Sequence, residues 1–172
     1  MIICPLCDFE NIEGVDYCDQ CGQPLDDAHL PLPRNAVERG LLVDTVDALS
    51  PKTPIVVSAA TPVQVVLKLL VERRIGCVFI VANGEPIGVF SERDALLRIG
   101  DSAAEVADEP ISRFMTPSPQ TLLPSTRLAF AVHQMDLGGY RHVPIVGEDG
   151  IAVGVISVRD ILRYLSSKVS SP

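Results

Sequence analysis

Lysine and arginine are absent between Met1 and Pro33, and the 172-residue chain carries only 14 of them against 22 aspartates and glutamates, a formal net charge of -8. Duplex binding needs clustered cations to displace counterions, so this balance argues against nucleic acid as a partner. An anionic ligand would have to find local basic groups. Long apolar runs are missing as well. The most hydrophobic stretch, residues 55–71, is interrupted by Ser58, Thr61, Pro62, Gln64 and Lys68, which is too polar for a bilayer span. No basic-then-apolar leader is visible, and a cytoplasmic location is expected. No nucleophile with a base beside it and no paired catalytic carboxylates stand in a common motif, so a non-enzymatic protein is expected. The apolar content of 47% is nevertheless enough for a hydrophobic core.

Cysteine is scarce beyond residue 21: four of the five lie within the first 21 residues, as Cys4-x-x-Cys7 and Cys18-x-x-Cys21 separated by ten residues. An odd total suits a secreted disulfide framework poorly, whereas four clustered thiols suit a metal in a reducing compartment. Each pair forms a tight turn, and two facing turns complete the tetrahedral four-sulfur site that zinc favours, with redox dithiols as the competing account. Only Ile2, Ile3, Leu6, Phe9, Ile12, Val15 and Tyr17 can be buried here, so the metal has to provide the folding free energy. The segment, with Asn11 between its pairs, resembles the short zinc ribbons of prokaryotic proteins, which implies a closed structural site for zinc, with iron as an alternative. Its acidic residues favour a protein partner.

Residues 23–39 hold Pro24, Pro31 and Pro33, two adjacent aspartates and no apolar period, and read as an extended linker. His29 within it is expected to be a solvent-exposed loop residue.

The rest of the chain is a repeat. Gly88-Val89-Phe90-Ser91-Glu92-Arg93-Asp94 returns as Gly154-Val155-Ile156-Ser157-Val158-Arg159-Asp160, and Thr61 and Val81 stand 65 residues before Thr126 and Val146. The offset grows by one in the turn where Gly147-Glu148-Asp149-Gly150 replaces Ala82-Asn83-Gly84-Glu85, a place that tolerates insertion. Each copy reads as a short extended segment (55–57; 120–122), a helix (63–74; 128–137), two strands (77–81 and 87–90; 143–146 and 153–156) and a closing helix (91–99; 157–165). Thr61-Pro62 and Ser125-Thr126 are expected to cap the first helices, and Gly76 and Gly138-Gly139 to end them. The fold class is therefore α/β (α+β), a pseudo-twofold pair of β-α-β-β-α repeats sharing one core behind a small metal-stabilised ribbon. The units are residues 1–24, a linker at 25–43, and repeats at 44–100 and 110–168. Cys77 and His133 read as packing or surface residues.

Ser-x-x-Asp at a strand-to-helix junction reads first as a capping box. Capping does not call for the arginine before each aspartate, nor for a glycine three residues before each serine, which weakens a strand unless a backbone or ligand approaches closely. A helix start with serine, arginine and aspartate also suits a nucleotide: the acid accepts from a ribose diol, and the arginine and helix end favour phosphate. The copies, with this phrase twice and Arg141-His142-Val143-Pro144 once, resemble a tandem pair of CBS (cystathionine beta-synthase) domains. The resemblance implies a regulatory module for AMP, ADP or ATP, with S-adenosylmethionine also conceivable, and a homodimer built through the pair. It implies two clefts. One would use Val155, Ser157, Arg159 and Asp160 with Ser50, Ile55, Ile75 and Gly76; the other Val89, Ser91, Arg93 and Asp94 with Met115, Thr116, Gln120, Tyr140 and Arg141. His142 stands where the family often contacts phosphate. Gly76-Cys77-Val78-Phe79 in the first copy lacks the polar pair of Arg141-His142, so the clefts are inequivalent. The competing reading is a zinc-ribbon interaction or transcription-associated protein in which the pair is a dimerisation scaffold.

Overall fold

The computed structural model describes residues 2–4, 6–12, 14–25, 33 and 35–169; His29 lies outside them. The ribbon is a small two-stranded sheet, β1 (Ile2–Ile3) antiparallel to β2 (Glu10–Asn11). The end of the expected linker is not extended. Asn35 accepts a hydrogen bond from the Glu38 amide at 2.9 Å and caps helix α1 (Ala36–Val43). Its apolar face is short, and Gly40 in its interior lowers helix propensity, which is why the pattern is hard to see. Gly40 is there because the Tyr164 hydroxyl and the Lys168 side chain lie over it. The same tyrosine donates to Asp44 Oδ2, and Lys168 Nζ pairs with that oxygen at 3.0 Å. Tertiary packing thus makes this segment helical.

The first repeat contains β3 (Val56–Ser58), α2 (Val63–Arg73), β4 (Cys77–Ala82), β5 (Glu85–Ser91) and α3 (Glu92–Asp94). The second contains α4 (Leu128–Gly138), β7 (His142–Val146), β8 (Ala152–Ser157) and α5 (Val158–Val169), and β6 (Thr116–Pro117) lies between the two. The repeat extends to detail: β4–β5 and β7–β8 are antiparallel hairpins whose register shifts after Ile80 and after Ile145. Asn83 and Gly84 both have positive φ, 52° and 89°, the tight turn that their sequence signals. The closing helices differ more than expected. In the second copy α5 is regular, whereas after α3 the chain winds a π-helical turn over Ala95–Ile99 and then a 3-10 turn over Gly100–Ala104. The wider π turn takes in one extra residue.

The two copies exchange their lead segments. β6, just ahead of the second copy, pairs with β5 of the first (Val89 with Thr116). Lys52, ahead of β3, makes a reciprocal pair of backbone bonds with Val155 in β8 at 3.1 and 2.9 Å. The helices start on the same exchange. Val63 N–H bonds to Glu109 carbonyl at 2.9 Å and Leu128 N–H to Asp44 carbonyl at 3.0 Å, so α2 and α4 are capped by the other copy's lead. Thr61 and Thr126 do not cap: Thr61 Oγ1 meets Ser58 Oγ at 3.1 Å, and Thr126 Oγ1 accepts from Leu123 N–H at 3.1 Å. Helix α2 also ends earlier than Gly76, on Arg74 in the left-handed region, whereas Gly139 ends α4 as expected.

This exchange corrects the expectation of one shared core. Two buried clusters form. Val63, Val66, Leu70, Val78, Ile80, Phe90 and Ile99 enclose Ile111 of the second lead, and Leu122, Leu128, Val143, Ile145, Ile156 and Tyr164 enclose Val46 of the first. Each copy closes its own core with the other's lead, so neither is complete alone. Among the described residues no helix is long and apolar enough to cross a membrane.

Candidate functional site

At the ribbon, the sulfurs of Cys4, Cys7, Cys18 and Cys21 all lie within 4.8 Å of one another. Cys4 and Cys21 are 3.6 Å apart, as are Cys7 and Cys18, against the edge of about 3.8 Å that follows from zinc–sulfur bonds of about 2.3 Å in a tetrahedron. Buried Asn11 pins the two turns. Its amide nitrogen donates to Phe9 carbonyl at 2.9 Å and to Cys18 Sγ at 3.6 Å, and its oxygen accepts from Asp19 N–H at 3.0 Å. Burial opposes ionisation of Cys18, yet the backbone amides of Cys21 and Gln20 and the Asn11 side chain outweigh it and hold that thiol down to about 6. The four donors fit a closed, soft-ligand metal site, and the chemistry such an ion supplies is cross-linking.

In the second copy, one carboxylate oxygen of Asp160 is consumed by the fold. Oδ2 accepts from Ser157 N–H at 2.9 Å and from Ser157 Oγ–H at 2.6 Å. Oδ1 faces the exchanged lead, with Lys52 Nζ at 3.3 Å and Arg163 Nη1 at 3.1 Å. Burial raises this carboxyl, but the serine hydroxyl and amide and the Lys52 ammonium prevail and hold it below the usual carboxylate range. In the first copy Asp94 Oδ2 accepts from Ser91 N–H at 2.9 Å and Ser91 Oγ–H at 2.6 Å, while Asp94 N–H returns a bond to Ser91 Oγ at 3.3 Å. Its Oδ1 meets Arg98 Nε at 3.3 Å. The capping reading and the ligand reading therefore apply to different oxygens of the same aspartate.

The glycine of each phrase is explained by a chain neighbour. A Cβ on Gly154 would come within 2.8 Å of Pro51 Cβ, and one on Gly88 would run into Met115; both neighbours belong to exchanged leads. Replacing Gly154 by alanine is therefore expected to destabilise the protein by about 1–3 kcal/mol, because Pro51 is ring and backbone and cannot swing aside. Urea unfolding measures it, and an unchanged midpoint would contradict the close approach.

His142 stands beside Gly76, where a Cβ would lie 2.5 Å from its ring. The small residue that weakens the first copy's polar phrase is what admits the second copy's imidazole. Burial depresses the His142 pKa; Glu92 and Asp160 oppose this, while Arg141 and Lys52 reinforce it. With a folded pKa below about 6.5, the unfolded chain takes up this proton first. The neutral ring's contribution is present above that pH and is lost as pH falls, by at most about 1.4 kcal/mol per unit. Unfolding midpoints from pH 7.5 downward should fall less steeply for His142→Asn than for the wild type, and equal slopes would refute this.

The remaining sequence candidates divide. Val155, Ser157, Asp160 and the Ser50–Lys52 lead come together, as do Val89, Ser91, Asp94, Met115 and Thr116. Gly76 and Arg141 carbonyls accept from Glu92 and Val158 amides at the starts of α3 and α5, both at 3.1 Å. Arg93, Arg159 and Gln120 are exposed. Ile55 and Ile75 pack, partly buried, on the first core and Tyr140 on the second. Cys77 is buried in β4, and desolvation pushes its thiol up to about 12, that of an inert core residue. Lys52, Arg98 and Arg163 were missed. The arginines follow their aspartates by four and three residues, a legible helical signal; Lys52 is brought in only by the exchange.

The sequence profile described as CBS domain matches residues 46–101 and 111–167. The chain belongs to the CBS domain family. A CBS domain-containing protein of Arabidopsis thaliana, CBSCBSPB2, is 29% identical over 115 residues, covering 67% of this chain and 22% of the plant protein. The chain thus spans about a fifth of the length of such plant relatives. Among solved structures, the CBS domain protein PAE2072 from Pyrobaculum aerophilum, complexed with AMP, is 28% identical with a TM-score of 0.61, over 72% of this chain and 98% of that one. CBSX2 in complex with AMP is 26% identical with a TM-score of 0.60, over 72% and 96% of the two chains. The matched CBS residues do not include the four ribbon cysteines.

Proposed function

We propose that this chain is a non-enzymatic, cytoplasmic regulatory module that binds an adenine nucleotide, AMP, ADP or ATP, in clefts between its exchanged repeats. The observation that carries it is the division of labour in each aspartate: Oδ2 is held by its serine, while Oδ1 is left to cations, Lys52 of the other copy's lead at Asp160 and Arg98 of its own copy at Asp94. An anionic acceptor beside cations in a cleft suits a ribose diol flanked by phosphate. The AMP complexes of two CBS relatives support that ligand. Binding to a site made by two copies stabilises the exchange itself, which is a physical basis for a signal. AMP is expected to raise the melting temperature, and to do so no longer in Asp160→Ala; no heat and no shift with AMP, ADP or ATP would refute the reading.

The ribbon holds zinc, with iron as the alternative, through Cys4, Cys7, Cys18 and Cys21. Exposed Ile3, Leu6, Ile12 and Tyr17 around an acidic surface favour a protein partner there, the reading in which the ribbon carries the output. Exposed Leu96, Leu97 and Leu162 on the closing helices support a homodimer through the CBS pair.

A further inference from the structure

We propose that Arg98 is a built-in stopper of the Asp94 cleft, so that each chain takes up a single adenine nucleotide, at the Asp160 cleft; this rests on the nucleotide reading above. Arg98 reaches across from the closing turn of the first copy to the lead of the second. Its Nη1 donates to the Phe114 and Met115 carbonyls at 2.9 and 2.8 Å, its Nη2 to Thr116 Oγ1 at 2.9 Å, and its Nε meets Asp94 Oδ1 at 3.3 Å. One guanidinium thus holds the acceptor a ribose needs and the hydroxyl a phosphate would use, with its planar fork satisfied on both edges. Both arginines stand at helical-neighbour spacing from their aspartates, Arg98 four residues after Asp94 and Arg163 three after Asp160, but Arg98 continues past its aspartate onto the lead of the other copy.

The Asp160 cleft is built differently. Where the second lead places Thr116 opposite Val89, the first places Lys52 opposite Val155, the equivalent strand position. The Lys52 side chain is 65% exposed and that of Arg163 is 70% exposed, and among the described residues each pairs with Asp160 Oδ1 alone. A ligand can therefore take that oxygen and leave two cations beside it for its phosphate, without breaking bonds to the lead's backbone. At the Asp94 cleft it must break them.

The test is the number of AMP molecules bound by the full chain, measured by titration calorimetry and equilibrium dialysis. The wild type is expected to bind one per chain and to lose it in Asp160→Asn. Arg98→Met keeps the side chain's bulk without its donors and is expected to bind two, and Arg98→Met with Asp94→Asn to return to one. Two AMP on the wild type, or one on a folded Arg98→Met, overturns the proposal. If neither protein binds AMP, the nucleotide reading fails, and with it the single-site proposal. Hydrogen exchange then reports on the latch alone: freeing β6 should speed exchange of the Ser118 amide about tenfold or more in Arg98→Met, and unchanged exchange means that Arg98 holds nothing shut.

Discussion

Replacing Cys18 by serine is expected to abolish zinc binding and to unfold residues 2–25 while the CBS pair still melts cooperatively. Among the described residues, none in the two apolar clusters comes from the ribbon, whose buried side chains are Cys4, Cys18 and Asn11. On the proposed function a segment with so small a core takes its order from a metal on the four cysteines, and structural zinc contributes about 10–16 kcal/mol to such folds. Cys18 is the severest single loss, because it is buried and its sulfur also receives the Asn11 amide that ties the turns together. Serine is a poor replacement, its hydroxyl staying protonated where a thiolate ionises. The measurements are the metal content of the purified protein and exchange of the ribbon amides. One zinc per chain retained in Cys18→Ser, or an ordered ribbon in metal-free wild type, would remove the structural role.

The second large effect belongs to Asp160. In the absence of ligand, Asp160→Ala leaves the Ser157 amide and the start of α5 without their acceptor and strands Lys52 and Arg163, a cost of about 1–3 kcal/mol. The ligand effect comes on top of that. At a free AMP concentration one hundred times its Kd the wild type gains about 2.7 kcal/mol, and the variant is expected to gain none. Comparing each protein with and without AMP separates the two, since the capping cost appears in both arms. Retention of the full AMP shift by Asp160→Ala would confine the aspartate to capping and move the ribose elsewhere.

Much of this was legible before any fold was known. The Cys-x-x-Cys spacing marks a four-sulfur site because ligand geometry is local, and the β-α-β-β-α order follows from apolar periods and turns such as Asn83-Gly84 that act within a few residues. The twin Ser-x-Arg-Asp phrase pointed to the aspartates, though the arginines it singled out, Arg93 and Arg159, are exposed, and the ion pairs are made by Arg98, Arg163 and Lys52. Helix α1 was hidden because Gly40 is a poor helix former whose place is set by Tyr164, more than a hundred residues away.

By itself the sequence determined the repeat, the cysteine cluster and the family, since each is a matter of residue types in a recurring order. Only the tertiary structure decided that residues 44–52 complete the second copy and residues 109–117 the first. A lead segment carries the same pattern whichever sheet edge it joins; the choice is made by burial of Val46 and Ile111 in the opposite core and by carbonyls that cap the opposite helix. That exchange puts Lys52 on Asp160 and brings Thr116 within reach of Arg98, and because the two leads differ in sequence it leaves the two aspartates in chemically unequal surroundings.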